Sequence, residues 1–189
     1  MPFDPCQVYS PEADTFLLSD AARAEVKAGD RVLEVGTGSG YISAELVRIC
    51  DVVATDINPH AALCAREHGV DVLRGDLFFG IRSTFDLVIF NPPYLPTRPE
   101  ERINDWLEFA LDGGESGCAV IERFAAEVGR VLAPGGRILI LISSLTGLDE
   151  VCQLFSQHGF IAGVVMQQTV EDEELYVLKI ERNKKNGDP

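Results

Sequence analysis

R-V-L-E-V-G-T-G-S-G-Y, residues 31–41, is the stretch that decides the fold. Its first half is a short apolar run that is typical of a buried strand, and a helical pattern begins at its last residue. Between the two, Gly36, Gly38 and Gly40 let the backbone turn tightly and approach a ligand, because glycine has no Cβ. The helix that follows presents free N–H groups in its first turn. The stretch therefore predicts a strand, a ligand-binding turn and a helix in succession.

The same alternation extends over most of the chain. Further strands are predicted at residues 52–55, 70–74, 85–90 and 137–143. Helices are predicted at residues 11–27, with Pro11 near the first helical position, and at residues 41–50, 59–68, 118–132 and 146–158. Continuous apolar strands such as D-L-V-I-F are typical of a parallel sheet with helices on both faces, so we expect an α/β fold.

The end of the chain departs from this alternation. Residues 160–167 and 174–181 are two β-prone runs with no room between them for a crossover helix. We therefore expect them to pair as an antiparallel hairpin, which adds a reversed strand to the parallel sheet. Residues 1–182 are expected to form a single domain, and the polar residues 183–189 are expected to be a disordered tail.

Composition narrows the function classes. The 189 residues include 30 Asp and Glu against 16 Lys and Arg, a net charge of −14, which disfavours stable binding to nucleic acid. No apolar run approaches the ~18 residues of a membrane span, and the N-terminus lacks the features of a signal peptide. We therefore expect a cytoplasmic protein without a membrane segment. The five scattered cysteines include no Cys-x-x-Cys pair, which predicts free thiols and no metal site.

Three acidic residues lie at the tips of three successive predicted strands. Glu34 stands two residues before Gly36, Asp56 ends the second strand, and Asp76 lies in G-D-L-F at the end of the third. Ligands of open parallel sheets bind beyond the carboxyl ends of the strands, where an acid can accept hydrogen bonds from ribose hydroxyls. Each Asp alone fits a helix cap equally well. Together the three acids favour a ligand with an adenosine end and a positively charged end, such as S-adenosylmethionine.

The motif N-P-P-Y, residues 91–94, follows the buried strand F-D-L-V-I-F. Its prolines fix φ and remove backbone donors, which leaves the Pro92 carbonyl free to accept a hydrogen bond. The Asn91 side-chain oxygen is a second acceptor, and Tyr94 offers a flat aromatic face. Asn91, Pro92 and Tyr94 are therefore predicted to bind a planar NH2 group and aim its lone pair at a methyl donor. The alternative is a structural turn that happens to contain two prolines.

Three motifs carry a resemblance to a known family: N-P-P-Y, V-Y-S-P-E-A-D-T-F-L-L at residues 8–18, and D-G-G-E-S-G at residues 112–117. Over nearly its whole length the chain resembles HemK-type class I S-adenosylmethionine-dependent methyltransferases, in the eukaryotic and archaeal branch of release-factor glutamine methyltransferases. N-P-P-Y alone is shared with DNA adenine and RNA guanine methyltransferases, so the opening motif carries the specificity. The resemblance implies a Rossmann-like, mostly parallel seven-stranded sheet. It also implies N5-methylation of the glutamine in the Gly-Gly-Gln motif of a peptide chain release factor.

The resemblance also implies roles for individual residues. Asn91 and Pro92 would bind the glutamine amide. The residues implied to bind S-adenosylmethionine are Tyr9 and Thr15, which would close over it, Glu34, Gly36 and Gly38 near the methionine end, Asp56 at the ribose, Asp76 and Leu77 at the adenine, and Asn91. Ala13 stands where the family carries an acid, with Glu12 one place earlier, so the role of that acid is open.

A partner is implied as well, namely the small zinc-binding activator subunit of this branch. The strand at residues 70–74 is expected to be a sheet edge, and an exposed apolar edge can be extended by a strand of another chain. The alternative is an edge protected by Asp71 and Arg74. Two other functions also remain open, namely methylation of an exocyclic amine of DNA or RNA, and a catalytically silent cofactor-binding scaffold. The acidic charge disfavours the first of these, and the intact Asn91 and Tyr94 disfavour the second.

Overall fold

The computed structural model describes residues 3–98, 100 and 105–183. Its strands are β1 (Arg31–Val35), β2 (Asp51–Asp56), β3 (Asp71–Arg74), β4 (Phe85–Phe90), β5 (Leu132–Ser143), β6 (Phe160–Val170) and β7 (Glu173–Arg182). They form one sheet in the order β3-β2-β1-β4-β5-β7-β6. The first five strands are parallel, and β7 pairs antiparallel with both β5 and β6. The predicted seven-stranded sheet and its C-terminal hairpin are confirmed.

The helices differ from the prediction mainly at their ends. They are α1 (Ala13–Glu25), α2 (Tyr41–Leu46), α3 (Pro59–Glu67), α4 (Glu108–Leu111), α5 (Ala119–Glu127) and α6 (Leu148–Gln157). Short 3-10 helices lie at Pro5–Gln7 and Val128–Arg130. The second lies within the helix predicted at residues 118–132, whereas the first and α4 were not predicted.

Several predicted helix ends were wrong, including that of the helix predicted at residues 118–132, which ends at Glu127, and three others have a clear local cause. Pro11 does not occupy the first helical position, because Glu12 is still extended and its carbonyl accepts the first helical bond, from Phe16. The helix predicted to reach Cys50 ends at Leu46, where an Ile49 N–H to Leu46 carbonyl bond tightens the chain into a turn. The helix predicted from Thr146 begins at Leu148, because Gly147 has a φ of 89° and cannot continue a right-handed helix.

Both faces of the central strands are buried, as the continuous apolar strands predict, whereas the edge strands β3 and β6 are mostly exposed. In β4, Val88 and Phe90 pack on the face that carries α5 and α6, while Leu87 and Ile89 pack on the face that carries α1 and α2. This alternation follows from the two-residue period of a strand. The sheet therefore packs against a hydrophobic core on each side, which fixes the positions of the residues at its carboxyl edge.

The expected sheet edge is confirmed, with one correction. β3 pairs only with β2 and lies at the end of the sheet. The strand begins at Asp71, because Val70 is buried in a small cluster with Ala54 and Ala65 instead of lying along the edge. Leu73 is 40% exposed on this edge.

Several other expectations concern segments outside this core. The N–H of Asn183 donates to the Gly159 carbonyl at 2.9 Å, and the rest of the predicted tail, residues 184–189, lies outside the described residues. All five cysteines are free. No described helix is long and apolar enough to cross a membrane. Within the described ranges, no group of three or more His, Cys, Asp or Glu side chains is arranged to hold a metal ion.

Candidate active site

Strand register brings the motifs together at the carboxyl edge of the sheet. Val35 pairs with Thr55 on one side and with Phe90 on the other. The residues that follow these three strand positions are Gly36, Asp56 and Asn91, so they emerge side by side. The edge opens into a cavity of about 260 Å³. This cavity is lined by every residue of the predicted site: Tyr9, Thr15, Glu34, Gly36, Gly38, Asp56, Asp76, Leu77, Asn91, Pro92 and Tyr94.

The three glycines of the first turn have different roles. All have positive φ values, between 54° and 80°, which a residue with a side chain adopts only with strain. A Cβ on Gly40 would lie 2.7 Å from Cα of Ala65, so this glycine allows α2 to pack closely against α3. A Cβ on Gly38 would meet nothing within 4 Å. Gly38 therefore lines open space, and it is the glycine most suited to a ligand.

Glu34 is buried and holds the turn in place. Its Oε2 accepts hydrogen bonds from the Thr37 hydroxyl at 2.7 Å, the Ser43 N–H at 3.1 Å and the Ser43 hydroxyl. Burial raises the pKa of Glu34 to about 7, although the hydrogen bonds from Ser43 and Thr37 oppose the shift. An ammonium group beside Glu34 would favour the carboxylate and lower this pKa again. The side chain therefore combines a structural role with sensitivity to a cationic ligand.

Asp56 joins the first turn to the second. Its Oδ2 accepts from the Gly38 N–H and its Oδ1 from the Asn58 N–H, each at 2.8 Å. Burial raises the pKa of Asp56, against the effect of these backbone bonds. Each carboxylate oxygen can accept more than one hydrogen bond, so Asp56 can bind ribose hydroxyls while it holds both turns.

Asp76 has a partner that the sequence analysis missed. Its Oδ2 lies 2.5 Å from a guanidinium nitrogen of Arg123, a residue of α5 that also lines the cavity. Both side chains are about half exposed, so the ion pair is screened by water. Leu77 follows in a left-handed conformation, with a φ of 47°, and is buried against the cavity. The adenine end of the predicted site is thus bounded by a charged pair and by an apolar residue.

Asn91 has an unusual hydrogen-bond arrangement. Its Nδ2 donates to Oδ2 of Asp14 at 2.9 Å. Its Oδ1 is buried and has no hydrogen-bond partner among the described residues. A buried polar atom without a partner costs ~1–3 kcal/mol, so such atoms commonly mark a site that a ligand completes. Asp14 belongs to the motif at residues 8–18, but no role was predicted for it from the sequence. The available signal was an acid within an otherwise apolar helix face.

Tyr94 lies among carboxylates. Burial raises the pKa of its hydroxyl, and Asp14, Glu173 and Glu12 raise it further. The Thr146 hydroxyl donates to the Tyr94 carbonyl at 3.2 Å. The phenol therefore stays neutral at physiological pH, and its backbone is fixed from outside the motif.

The segment at residues 112–117 supports N-P-P-Y from the other side. The Gly113 N–H donates to the Leu95 carbonyl at 3.0 Å, and the Thr97 N–H donates to the Gly114 carbonyl at 2.9 Å. A Cβ on Gly117 would lie 2.6 Å from the Tyr94 carbonyl oxygen. This close approach explains why a glycine-rich segment packs here.

The segment before α1 is tied to the rim of the cavity. The Asn58 side-chain amide donates to the Gln7 carbonyl at 2.7 Å, and the Trp106 N–H donates to Oε1 of Gln7 at 2.9 Å. The Asp4 N–H donates to Nδ1 of His60 at 3.0 Å. These contacts place Tyr9 at the cavity, and Trp106 is a second lining residue that the sequence analysis missed.

The fold and this cavity define a class I S-adenosylmethionine-dependent methyltransferase. The cavity combines a glycine-rich turn with open space at Gly38, buried carboxylates at two strand ends, and the Asn91 Oδ1 that has no partner among the described residues. The turn and the carboxylates fit a cofactor with ribose hydroxyls and an ammonium group, and Asn91 Oδ1 fits an amine that accepts the methyl group.

Comparison with known proteins identifies the family. The family model "Methyltransferase small domain" matches residues 12–105. A relative from Methanocaldococcus jannaschii is 38% identical, over 91% of this chain and 90% of the relative's length. Its name, protein N5-glutamine methyltransferase, is itself a prediction. Human methyltransferase HEMK2 is 34% identical over 93% of this chain and 90% of its own.

A solved structure agrees with these relatives. Mtq2 in its complex with Trm112 from E. cuniculi, described as responsible for methylating the translation termination factor eRF1, superposes with a TM-score of 0.77 and 29% identity. The match covers 93% of this chain and 99% of that chain. This chain belongs to the HemK-type methyltransferases, in the eukaryotic and archaeal branch of the release-factor glutamine methyltransferases.

Proposed function

We propose that this protein methylates the side-chain amide nitrogen of the glutamine in the Gly-Gly-Gln motif of a peptide chain release factor. The observation that carries the proposal is the buried Asn91 Oδ1, which has no hydrogen-bond partner among the described residues, in a residue that lines the cavity together with Pro92. The archaeal relative and the E. cuniculi complex support the substrate class. We place the reaction in the cytoplasm, because peptide release factors act there.

The cofactor would be held by the residues around the first two turns. Glu34 and Gly36 would bind the methionine end, Asp56 would bind the ribose, and Asp76 and Leu77 would bound the adenine, since all five residues line the cavity. Tyr9 and Thr15 would cover the cofactor from the opening segment. When bound, S-adenosylmethionine supplies an electrophilic methyl group on a sulfonium centre.

The chain's own residues account for activation of the acceptor. A glutamine amide nitrogen is a poor nucleophile, because its lone pair is delocalised into the carbonyl. Asn91 Oδ1 and the Pro92 carbonyl oxygen, called here the acceptor pair, can bind the two hydrogens of that NH2 group. Their hydrogen bonds hold the nitrogen in place, favour its pyramidal form and stabilise the positive charge that grows on it during transfer.

A partner subunit would dock at the β3 edge. The E. cuniculi relative was solved with Trm112, and we propose that a small zinc-binding activator of that kind adds a strand beside β3. Leu73 of β3 is 40% exposed, and Phe79, five residues after the strand, is 75% exposed. Docking of the activator would remove these large apolar side chains from water.

The acceptor class is tested by incubating the protein, with and without the activator, with labelled S-adenosylmethionine and a release factor, duplex DNA or tRNA. We expect label on the release factor alone. Label on either nucleic acid would contradict the proposal. If the cofactor binds but no acceptor is labelled, the protein is a silent scaffold.

A further inference from the structure

The orientation of the Asn91 amide decides whether the acceptor pair exists. A side-chain amide can be turned by 180° about its terminal bond, which exchanges an oxygen acceptor for a nitrogen donor. Only the orientation with Oδ1 toward the target can bind an NH2 group. The loop at N-P-P-Y therefore needs a contact that selects this orientation.

Asp14 supplies that contact. Its Oδ2 lies 2.9 Å from Asn91 Nδ2, and an ionised carboxylate can only accept hydrogen bonds. The opposite orientation would face two oxygens toward each other. Nδ2 must therefore point to Asp14, and Oδ1 is left on the side of Asn91 that has no protein partner.

Asp14 is itself held firmly. It is the second residue of α1 and is only 5% exposed. Its Oδ1 accepts from the Thr15 N–H at 2.6 Å and from the Thr15 hydroxyl at 3.2 Å, and the Tyr9 hydroxyl lies 3.4 Å away. These hydrogen bonds fix the position of the carboxylate in the first turn of α1. One oxygen is thus fixed by α1, and the other is presented to Asn91.

The charge of Asp14 also reaches the acceptor pair. No ion pair joins Asp14 to a Lys or Arg within the described ranges. Its charge contributes to the raised pKa of both Tyr9 and Tyr94, which flank the cavity. A buried, uncompensated negative charge beside Asn91 would stabilise positive charge that develops on the target nitrogen.

We propose that Asp14 is a positioning residue for methyl transfer, which fixes the Asn91 amide with Oδ1 toward the target nitrogen and adds negative charge behind it. The proposal rests on the proposed function, because it assumes an NH2 acceptor. It connects the opening helix to N-P-P-Y, 77 residues further along the chain.

The test compares Asp14→Asn with Asp20→Asn, which removes the same charge from an exposed position of the same helix. In Asp14→Asn, the new NH2 group must face either Asn91 Nδ2 or the donors of Thr15 and Tyr9. We expect kcat to fall by at least ~10-fold, as on loss of a transition-state contact, while Kd for S-adenosylmethionine changes by less than ~3-fold. Asp20→Asn is expected to match the wild type.

A double-mutant cycle separates positioning from general damage. If Asp14 acts mainly by orienting Asn91, Asp14→Asn lowers kcat much less in the Asn91→Ala background than in the wild type, and the remaining loss measures the direct effect of the charge. An equal fold loss of kcat in both backgrounds would overturn the proposal. So would a parallel loss of cofactor binding and thermal stability in Asp14→Asn alone.

A second readout does not depend on activity. In the NMR spectrum of the free protein, the Asn91 side-chain NH2 signals, assigned by their loss in Asn91→Ala, should shift on Asp14→Asn and stay in place on Asp20→Asn. Unchanged signals in Asp14→Asn would also overturn the proposal. If the wild type transfers no methyl group to a release factor, the proposed function fails, whereas this spectral comparison still tests the Asp14 contact.

Discussion

The backbone nitrogen of Gly38 lies 2.8 Å from Oδ2 of Asp56. This bond joins the turn after β1 to the turn after β2, so the two turns that we propose to bind the cofactor form one unit. A side chain that was predicted to bind ribose therefore also shapes the turn expected to hold the methionine end.

Replacing Asp56 should consequently weaken cofactor binding more than the loss of one ribose contact would. Asp56→Asn places an NH2 group against the N–H of Gly38 or Asn58, and leaves that donor without its bond. We expect Kd for S-adenosylmethionine to rise by ~30-fold or more, about 2 kcal/mol, measured by calorimetry. Asp51→Asn removes an exposed acid at the other end of β2 and is the control. Equal affinity in the two variants would contradict the role of Asp56.

The raised pKa of Glu34 predicts a pH dependence of stability. The ordinary pKa of this carboxyl is 4.5 and its pKa in the folded protein is about 7, so the folded state binds the extra proton between these values. The free energy of unfolding should therefore decrease as pH rises from 4.5 to 7 and then level off. In Glu34→Gln this slope should be reduced, as measured by chemical unfolding at several pH values. A slope identical to that of the wild type would contradict the assignment.

The same shift predicts proton release on cofactor binding. A cationic ammonium group near Glu34 favours the carboxylate, so at pH 6 binding should expel a proton. Calorimetry in buffers of different ionisation enthalpy measures this release directly. We expect affinity to increase from pH 6 to pH 8 in the wild type and to stay nearly constant in Glu34→Gln. Equal proton release by both proteins would place the titrating group elsewhere.

Alanine substitutions of the glycines in the first turn should affect the free energy of unfolding and cofactor binding to different extents. Gly40→Ala forces a Cβ to within 2.7 Å of the Ala65 backbone and should lower the free energy of unfolding by ~2 kcal/mol or more. Gly38→Ala and Gly29→Ala both place alanine at positive φ in open space, so each should cost only ~1 kcal/mol. Of these two, only Gly38→Ala should weaken cofactor binding. If Gly29→Ala weakens it equally, Gly38 does not line the binding site.

The fold was predictable where the sequence pattern is local. β1 and β4 have the predicted bounds, because each is a mainly apolar run between polar or glycine residues. The four-residue helix α4 was missed, since it has no buried residue and therefore no apolar period to detect.

The site residues were predictable where a side chain able to bind a ligand lies at the end of a strand. Glu34, Asp56 and Asn91 lie at or directly after the ends of strands, and parallel strands bring their carboxyl ends together. Asp14 and Arg123 were missed, because their contacts, to Asn91 and Asp76, span 77 and 47 residues of sequence. Such pairings depend on how helices pack on the sheet, which no local pattern encodes.

The proposed docking edge can be tested with a matched pair of substitutions. Leu73 on the β3 edge is 40% exposed and Ile161 on the opposite β6 edge is 56% exposed. Leu73→Glu should weaken activator binding by ~10-fold or more, since it places a charge in an apolar interface, whereas Ile161→Glu should not. Pull-down of the activator with each variant measures the difference. If both variants retain the activator equally, the activator binds at another surface.

Locating the methyl group on the release factor tests the central claim most directly. After reaction with the protein, its activator and S-adenosylmethionine, the factor is digested and its peptides are analysed by mass spectrometry. We predict one added methyl group on the side-chain amide nitrogen of the Gly-Gly-Gln glutamine, and none on a factor in which that glutamine is replaced by alanine. A methyl group that remains on the alanine-substituted factor, or that lies on another residue of the normal factor, would contradict the account.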